Sequence, residues 1–327
     1  MKSVICLGNA LVDIITQLET DNTLNELNLP KGSMQLVDKD MHNSIKTITS
    51  KLETKKQTGG SAANTANGLA NLGIKSGYIG MVGKDEFGEF YINDMIQNSI
   101  EPRFFHSHTT PTGCALALIS KDGERTFATY LGAAIEMNEG LLSPDIFKGY
   151  DYFHIEGYLI SNQPLVAKAI SIAKSLGIKT SIDLASYNVV EENLCFLKEV
   201  CKDVDIIFAN EEEAKSFTNS EAEKALDIIS EYAEISVVKI GKKGSLIKSN
   251  NEKYIIKEVE RKLVDTTGAG DMYAAGFIAG LCNNYSLEKC GKMGSILAGN
   301  VIEVYGAKMD ENRWERIKEE ISNIEFK

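Results

Sequence analysis

The chain has 327 residues, 43% apolar and 25% charged, the balance of an ordinary globular protein that can bury a large core without disulfides or metals. Asp and Glu total 46 against 35 Lys and Arg, a net charge of −11, which argues against a nucleic-acid polymer or an anionic membrane surface as partner. Small anions stay open, because local backbone dipoles can hold them.

From the N-terminus, Val4 to Leu7 reads as a buried first strand; its apolar run is too short for a secretory signal. Further buried strands are predicted at Ser76 to Val82, Tyr152 to Ile155, Lys179 to Ile182, Ile206 to Ala209 and Ile235 to Ile240. Helical patterns lie between them, from Ala62 to Leu72 and from Gln163 to Leu176, the latter stopped by Gly177. Strand–helix–strand repetition implies an α/β fold with a mostly parallel sheet and helices on both faces. Two segments break the rhythm, Asp13 to Val37 and Phe104 to Leu131, both β-prone and without helices. Within the second, Cys114 to Ser120 and Arg125 to Leu131 read as a hairpin. The expected division is a core of 1–12, 38–103 and 132–327, with 13–37 and 104–131 forming a small projecting β-sheet. Glu311 to Ile321 reads as a closing amphipathic helix. No apolar run approaches a bilayer span, and the six scattered cysteines suit reduced thiols in a cytoplasmic protein.

The chain lacks a P-loop, a nucleophile elbow and an HExxH helix, and Gly268-Ala-Gly270 sits too late for a dinucleotide fingerprint. The strongest signal is Asp265-Thr266-Thr267-Gly268-Ala269-Gly270-Asp271, between the β-prone Lys262 to Val264 and a small, apolar helical run. A glycine-led helix start leaves backbone N–H groups unpaired, and with the helix dipole they form an anion hole. Asp271 at that start could accept a proton from a substrate hydroxyl, or simply cap the helix.

Four weaker signals accompany it. Gly59-Gly60-Ser61, with Asn64 a turn later, allows close backbone approach to a ligand or a tight helix entry. Asn9 and Asp13 follow the first strand, where open α/β sheets bind ligands; loop capping explains them too. Asn210 and Glu213 fit one helical turn that could organise water around Mg²⁺, or a solvated acidic helix start. Lys239, Gly241 and Gly244 form a basic glycine turn that could border nucleotide phosphate or adenine, or be an exposed hairpin.

Taken in order, these motifs, with Gly83-Lys84-Asp85 and Gly88, resemble the ribokinase-like (PfkB) family of carbohydrate and nucleoside kinases over nearly the whole chain. The resemblance implies a three-layer α/β/α fold whose small β-sheet is a lid. It implies ATP and Mg²⁺ as cofactors, with Asp271 as base and the N–H groups of Gly268, Ala269, Gly270 and Asp271 as anion hole. Substrate hydroxyls would meet Asn9, Asp13, Gly59, Gly60, Ser61 and Asn64. Asn210 and Glu213 would serve Mg²⁺ through water, and Lys239, Gly241, Gly244, Thr266 and Asn300 the nucleotide. Asp265, Thr267, Val304 and Gly306 resemble a monovalent-cation loop, implying K⁺.

Within the family the likeness is to the adenosine kinase branch, through Gly8 to Asp13, Leu29-Pro30-Lys31-Gly32, Pro111-Thr112-Gly113 and Leu131 to Ala134. The ribokinase branch would be expected to show Lys at Ser61 and Gly at Ala62. The branch implies Leu131, Ala133 and Tyr158 around a purine, and Arg125 on the phosphate or closing the lid. Thr267 and Tyr158 depart from that branch, which resembles Asn and Phe there. The expected activity is phosphorylation of the primary hydroxyl of a ribosyl substrate, adenosine foremost, in a monomer or a lid-paired homodimer. A free-sugar kinase and a non-catalytic nucleoside sensor are the alternatives.

Overall fold

The computed structural model describes residues 2–324; the outer limits of the expected core, 1 and 325–327, lie outside the described residues. The large sheet has nine strands. In spatial order they are Glu252–Ile256, Ser245–Ser249, Ile235–Lys239, Ile206–Asn210, Lys179–Asp183, Tyr152–Glu156, Ser3–Leu7, Lys75–Gly83 and Ile100–Ser107. Every pairing from Ile235–Lys239 to Ile100–Ser107 is parallel, and the first two strands add an antiparallel edge. The alternation of side chains along a strand feeds two cores. Val4 and Cys6 enter the one that contains Ala66, Phe277 and Leu297, whereas Ile5 and Leu7 enter the one that contains Leu165 and Ile170. Helices therefore cover both faces, as the sequence pattern predicts.

The helix Ala269–Cys282 is buried along almost its whole length, between Ser61–Asn71 and Leu287–Val301. Its small residues make this possible. A Cβ at Gly276 would lie 2.6 Å from the Met293 carbonyl oxygen, and one at Gly68 would lie 2.6 Å from Ala275 Cβ.

The small sheet has the order Met34–Leu36, Arg125–Tyr130, Gly113–Ile119, Leu11–Gln17 and Thr54–Gly59. The predicted hairpin is present, with Ala117 opposite Phe127. Four expectations differ. Thr54–Gly59 joins the small sheet although it falls within 38–103. Its sequence, Thr-Lys-Lys-Gln-Thr-Gly, is an edge strand guarded by lysines and has no apolar residue to announce it. Residues 104–107 belong to the large sheet, because Ile100–Ser107 pairs in parallel with Lys75–Gly83 to its end. A short helix, Asn22–Glu26, interrupts 13–37. Also, Lys262 to Val264 forms no strand, and Leu263 and Val264 are exposed.

One face of the small sheet is continuous with the first of these two cores. Val12, Ile14, Leu116, Leu118 and Ala128 pack with Leu24 of Asn22–Glu26 and Ile45 of the helix Lys39–Thr49. The opposite face, which carries Asp13, is turned to the cleft between the sheets. No helix among the described residues is long and apolar enough to cross a membrane.

The tight helix contact gives a direct test. Gly276→Val forces a branched side chain into a backbone carbonyl, and overpacking of this kind costs about 1–3 kcal/mol. Urea unfolding should show that loss, while Gly123→Ala, at a turn where no atom lies within 4 Å, should cost less through its φ of +87° alone.

Candidate active site

Four neighbouring parallel strands end on polar residues: Glu156, Asp183, Asn210 and Lys239 are each the last residue of their strand. Gly8 and Asn9 follow the end of a fifth, Ser3–Leu7. The carboxyl ends of parallel strands open onto the crevice of an α/β sheet, and this crevice faces the lid.

Asp271 stands on the first turn of Ala269–Cys282, three residues after the cap Gly268, whose φ of 77° is left-handed. Its carboxylate is held by the neighbouring helix: Ser61 Oγ donates to Oδ1 at 2.6 Å and Asn64 Nδ2 to Oδ2 at 2.8 Å. Burial raises its pKa to about 6; the two hydrogen bonds oppose the rise, Asp183 adds to it, and Lys239 offsets part. The N–H groups of Gly270 and Asp271, on the first turn, have no carbonyl one turn back to bond to. Ala269 N–H instead donates to the exposed Thr266 carbonyl at 3.1 Å, closing the turn. Lys239 reaches the same place: a Cβ on Gly270 would sit 3.1 Å from its Nζ. That ammonium pairs with Asp183 Oδ2 at 2.6 Å, at side-chain exposures of 15% and 8%. A cation thus lies beside the anion hole.

The glycine pair works by close approach. Gly60 caps Ser61–Asn71 at φ 97°, and a Cβ there would be 2.4 Å from the Asn9 carbonyl oxygen. A Cβ on Gly59 would be 2.1 Å from Asp13 Oδ1. Burial raises the Asp13 carboxyl to about 7, against a Gln57 hydrogen bond and the charges of Lys308 and Arg125. Asn9 is buried, and its N–H and Nδ2 donate to Glu156 Oε1 at 2.9 and 2.6 Å. Glu156 Oε2 accepts from Ala62 N–H at 3.0 Å, so one buried carboxyl ties the first strand to the start of the glycine-led helix. Burial raises it to about 7.

Asn210 and Glu213 form a complete capping box: Asn210 Oδ1 accepts from Glu213 N–H at 2.9 Å, and Glu213 accepts from Asn210 N–H at 2.7 Å and Nδ2 at 2.6 Å. Both Glu213 oxygens are thus engaged. Gly241 and Gly244 bracket the turn from Ile235–Lys239 to Ser245–Ser249, both at positive φ. Tyr158, on the short 3₁₀ turn Gly157–Ser161, is 37% exposed, and Leu131 is half-buried.

Several expected site residues are engaged elsewhere. Ala133 is wholly buried in the core cluster with Leu7 and Ile79. Asn300 is also wholly buried; its Nδ2 donates to the Ile296 carbonyl at 2.9 Å and its Oδ1 accepts from Arg316 Nε at 3.0 Å, which fixes the closing helix rather than a nucleotide. The loop expected to hold K⁺ has its carboxylate already paired with a cation. Asp265 Oδ1 accepts from Thr267 N–H and Oγ1, Oδ2 accepts from Gly306 N–H, and the Arg125 guanidinium forms an ion pair with Oδ2. Val304, in the same loop, donates its N–H to the Val301 carbonyl at 3.1 Å.

Glu156 and Asp183 are missing from the sequence reading. Both end parallel strands, and that position was the signal available for them.

A mostly parallel three-layer α/β/α core with a five-stranded lid, and a carboxylate on a glycine-led helix beneath it, is the ribokinase-like architecture. Residues 35–313 match the model of the pfkB family of carbohydrate kinases, and the chain belongs to that family. It is therefore a kinase. The solved structures it resembles include a probable sugar kinase from Rhizobium etli, at 31% identity and a TM-score of 0.88 over 97% of this chain and 98% of that one. They also include the adenosine kinase of Sinorhizobium meliloti, at 31% identity and a TM-score of 0.87 over 97% and 99%. Among sequence relatives, a nucleoside kinase of Methanocaldococcus jannaschii is 27% identical over 98% of this chain and 97% of its own.

The network around Asp271 can be read directly. A carbon-detected NMR titration of the free protein should place its carboxyl at about 6. Ser61→Ala removes a donor that favours the ionised form, so the midpoint should move upward. An unchanged or lower midpoint would mean that the Ser61 contact does not govern it.

Proposed function

We propose that the protein transfers the γ-phosphoryl group of ATP to the primary hydroxyl of a ribonucleoside, adenosine foremost. The observation that carries the nucleoside reading is the lid's cleft face. Strand alternation and register put Ile15, Phe127, Met34 and Leu36 on the same face as Asp13. Met34 and Leu36 are 52% and 69% exposed. A free sugar presents hydroxyls on every side and would leave such a wall without a matching group. A nucleobase has an apolar face to set against it, and Tyr158 offers a ring beside the cleft; stacking of a base on an aromatic side chain is worth about 1–3 kcal/mol. The likeness to the rhizobial adenosine kinase, and the full-length match to a nucleoside kinase, support the same reading.

In this reading Asn9, Asp13 and the backbone at Gly60 hold the ribosyl hydroxyls, and the primary hydroxyl points at Asp271. Asp271 takes its proton as the oxygen attacks the γ-phosphorus. Ser61 and Asn64 hold that carboxylate in place. The N–H groups of Gly268, Gly270 and Asp271, with Lys239 beside Gly270, stabilise the charge on the transferring group. Mg²⁺ fits the oxygen donors here through its own water shell, because the Glu213 oxygens are already bonded to Asn210. Bound there, the ion would neutralise charge shared between the β- and γ-phosphates. The basic turn at Gly241 and Gly244 borders the nucleotide. K⁺ is left out of the reading, since the Arg125 guanidinium already neutralises Asp265.

A monomer agrees with the lid, whose outer face is covered by the chain's own helices. A cytoplasmic place of action agrees with the free thiols, of which Cys6, Cys114, Cys201, Cys282 and Cys290 are buried.

The deciding measurement is ATP consumption with adenosine, inosine, guanosine, cytidine, ribose and fructose. Adenosine should be the best acceptor. Turnover with ribose and with no nucleoside would replace this reading by the free-sugar one; binding without turnover would favour a sensor. Asp271→Asn should fold and bind but lose about 10²–10⁴ in kcat, the range of general-base contributions. The base must be ionised, so wild-type kcat/KM should fall as pH drops through about 6. A near-wild-type rate in Asp271→Asn would remove Asp271 from the base role.

A further inference from the structure

One buried ion pair joins the lid to the loop ahead of the anion hole. Arg125 opens the lid strand Arg125–Tyr130 on its cleft face, in register with Ile119. Its Nη1 lies 2.7 Å from Asp265 Oδ2 and 2.9 Å from Thr267 Oγ1. The two charged side chains are 9% and 6% exposed. The Tyr305 ring lies against the guanidinium, 5.7 Å from its centroid.

Asp265 Oδ2 also accepts from Gly306 N–H at 2.7 Å, and Oδ1 accepts from Thr267 N–H at 3.1 Å and Thr267 Oγ1 at 2.8 Å. Three hydrogen bonds hold the carboxylate, and the Arg125 ion pair adds a whole positive charge. A second cation on the same carboxylate would stand close to that guanidinium, and two like charges so near each other repel strongly in a partly buried setting. The residues of this loop therefore do not fit a bound K⁺ while Arg125 is in place.

We infer that the Arg125 guanidinium is the fixed cation of this loop. It neutralises Asp265 and braces the Thr266–Gly270 turn from the lid, as a bound monovalent cation would do from solution. Two properties follow. The protein works without K⁺, and the turn that carries the anion hole is fully braced only when the lid is down. Arg125 is a positioning residue in this role, acting through Asp265 and Thr267. The turnover arm of the test rests on the kinase reading above; the melting arm does not.

The test compares wild type, Arg125→Ala and Arg125→Lys in potassium chloride and in choline chloride of equal ionic strength. Thermal unfolding of the free protein and ATP turnover with its best acceptor are both measured. Wild type should differ by less than about twofold in turnover between the salts, with no potassium-specific rise in melting temperature. Arg125→Ala should lose at least about tenfold in choline and regain part of it in potassium, saturably. Its melting temperature should rise with potassium and not with choline, as expected when a ligand binds only the folded state. Arg125→Lys keeps the charge and should remain insensitive to potassium. Two results would overturn the inference. One is a potassium-specific gain in stability or turnover for wild type. The other is an Arg125→Ala variant that folds yet ignores potassium in both readouts. If no acceptor is phosphorylated the kinase reading falls, and the melting arm still decides this one.

Discussion

The site depends on one constraint: a carboxylate on the first turn of one helix is gripped by donors from the first turn of another. Asp271 belongs to Ala269–Cys282, and Ser61 and Asn64 to Ser61–Asn71. The grip requires the two helix starts to meet, which only small residues along the shared seam permit. Gly68 faces Ala275, and Thr65 Oγ1 donates to the Asp271 carbonyl at 3.2 Å. The entry of the second helix is fixed in turn by Gly60, whose left-handed φ no side chain adopts cheaply, and by Glu156, which takes the Ala62 N–H. Displacing any of these would shift the grip. A shift of about 1 Å is already costly for a reacting group that must sit in a near-attack geometry.

The electrostatics follow from the same crowding. Asp13, Glu156, Glu213 and Asp271 are all pushed upward by burial, and one ammonium, Lys239, stands among Asp183, Glu213 and Asp271. A cleft so rich in carboxyls is a poor place for a free phosphate. It becomes suitable only where backbone N–H groups, Lys239 and a metal ion concentrate positive potential on one spot. The net charge of −11 consequently bears on polymeric partners and hardly at all on this site.

Much of this was legible in the sequence, for identifiable reasons. Buried parallel strands announce themselves as apolar runs, and Val4 to Leu7 or Ile206 to Ala209 needed nothing more. The glycine-led helix start at 268–271 carries its own signal, because the conformation is costly for other residues. What was illegible lacked local signal. Thr54–Gly59 is polar throughout and is a strand only because Leu11–Gln17 lies beside it. Glu156 directly follows the apolar run Tyr152 to Ile155, and its value lies in Asn9 and Ala62, both far away in the chain. Asn300 and Ala133 show the opposite failure. They stand in stretches that resemble family positions, but the helix Glu311–Ser322 and the second core claim them. Resemblance carries a motif to a position; the packing around it decides where the side chain goes.

The small sheet shows how little sequence is needed to tie its own register to the loop ahead of Ala269–Cys282. On the strand Arg125–Tyr130, Thr126 and Ala128 point to the buried face of the small sheet, while Arg125, Phe127 and Thr129 point to the cleft. One residue in two is spent on holding the lid together, and the others divide the cleft between them. Arg125 reaches the catalytic loop and Phe127 builds the apolar wall. Because a one-residue slip would exchange the two faces, the register that buries Ala128 is the register that aims Arg125 at Asp265. Stability of the small sheet and alignment of the latch are therefore the same property. A weakened lid core would loosen the anion-hole turn without touching any residue of the active site.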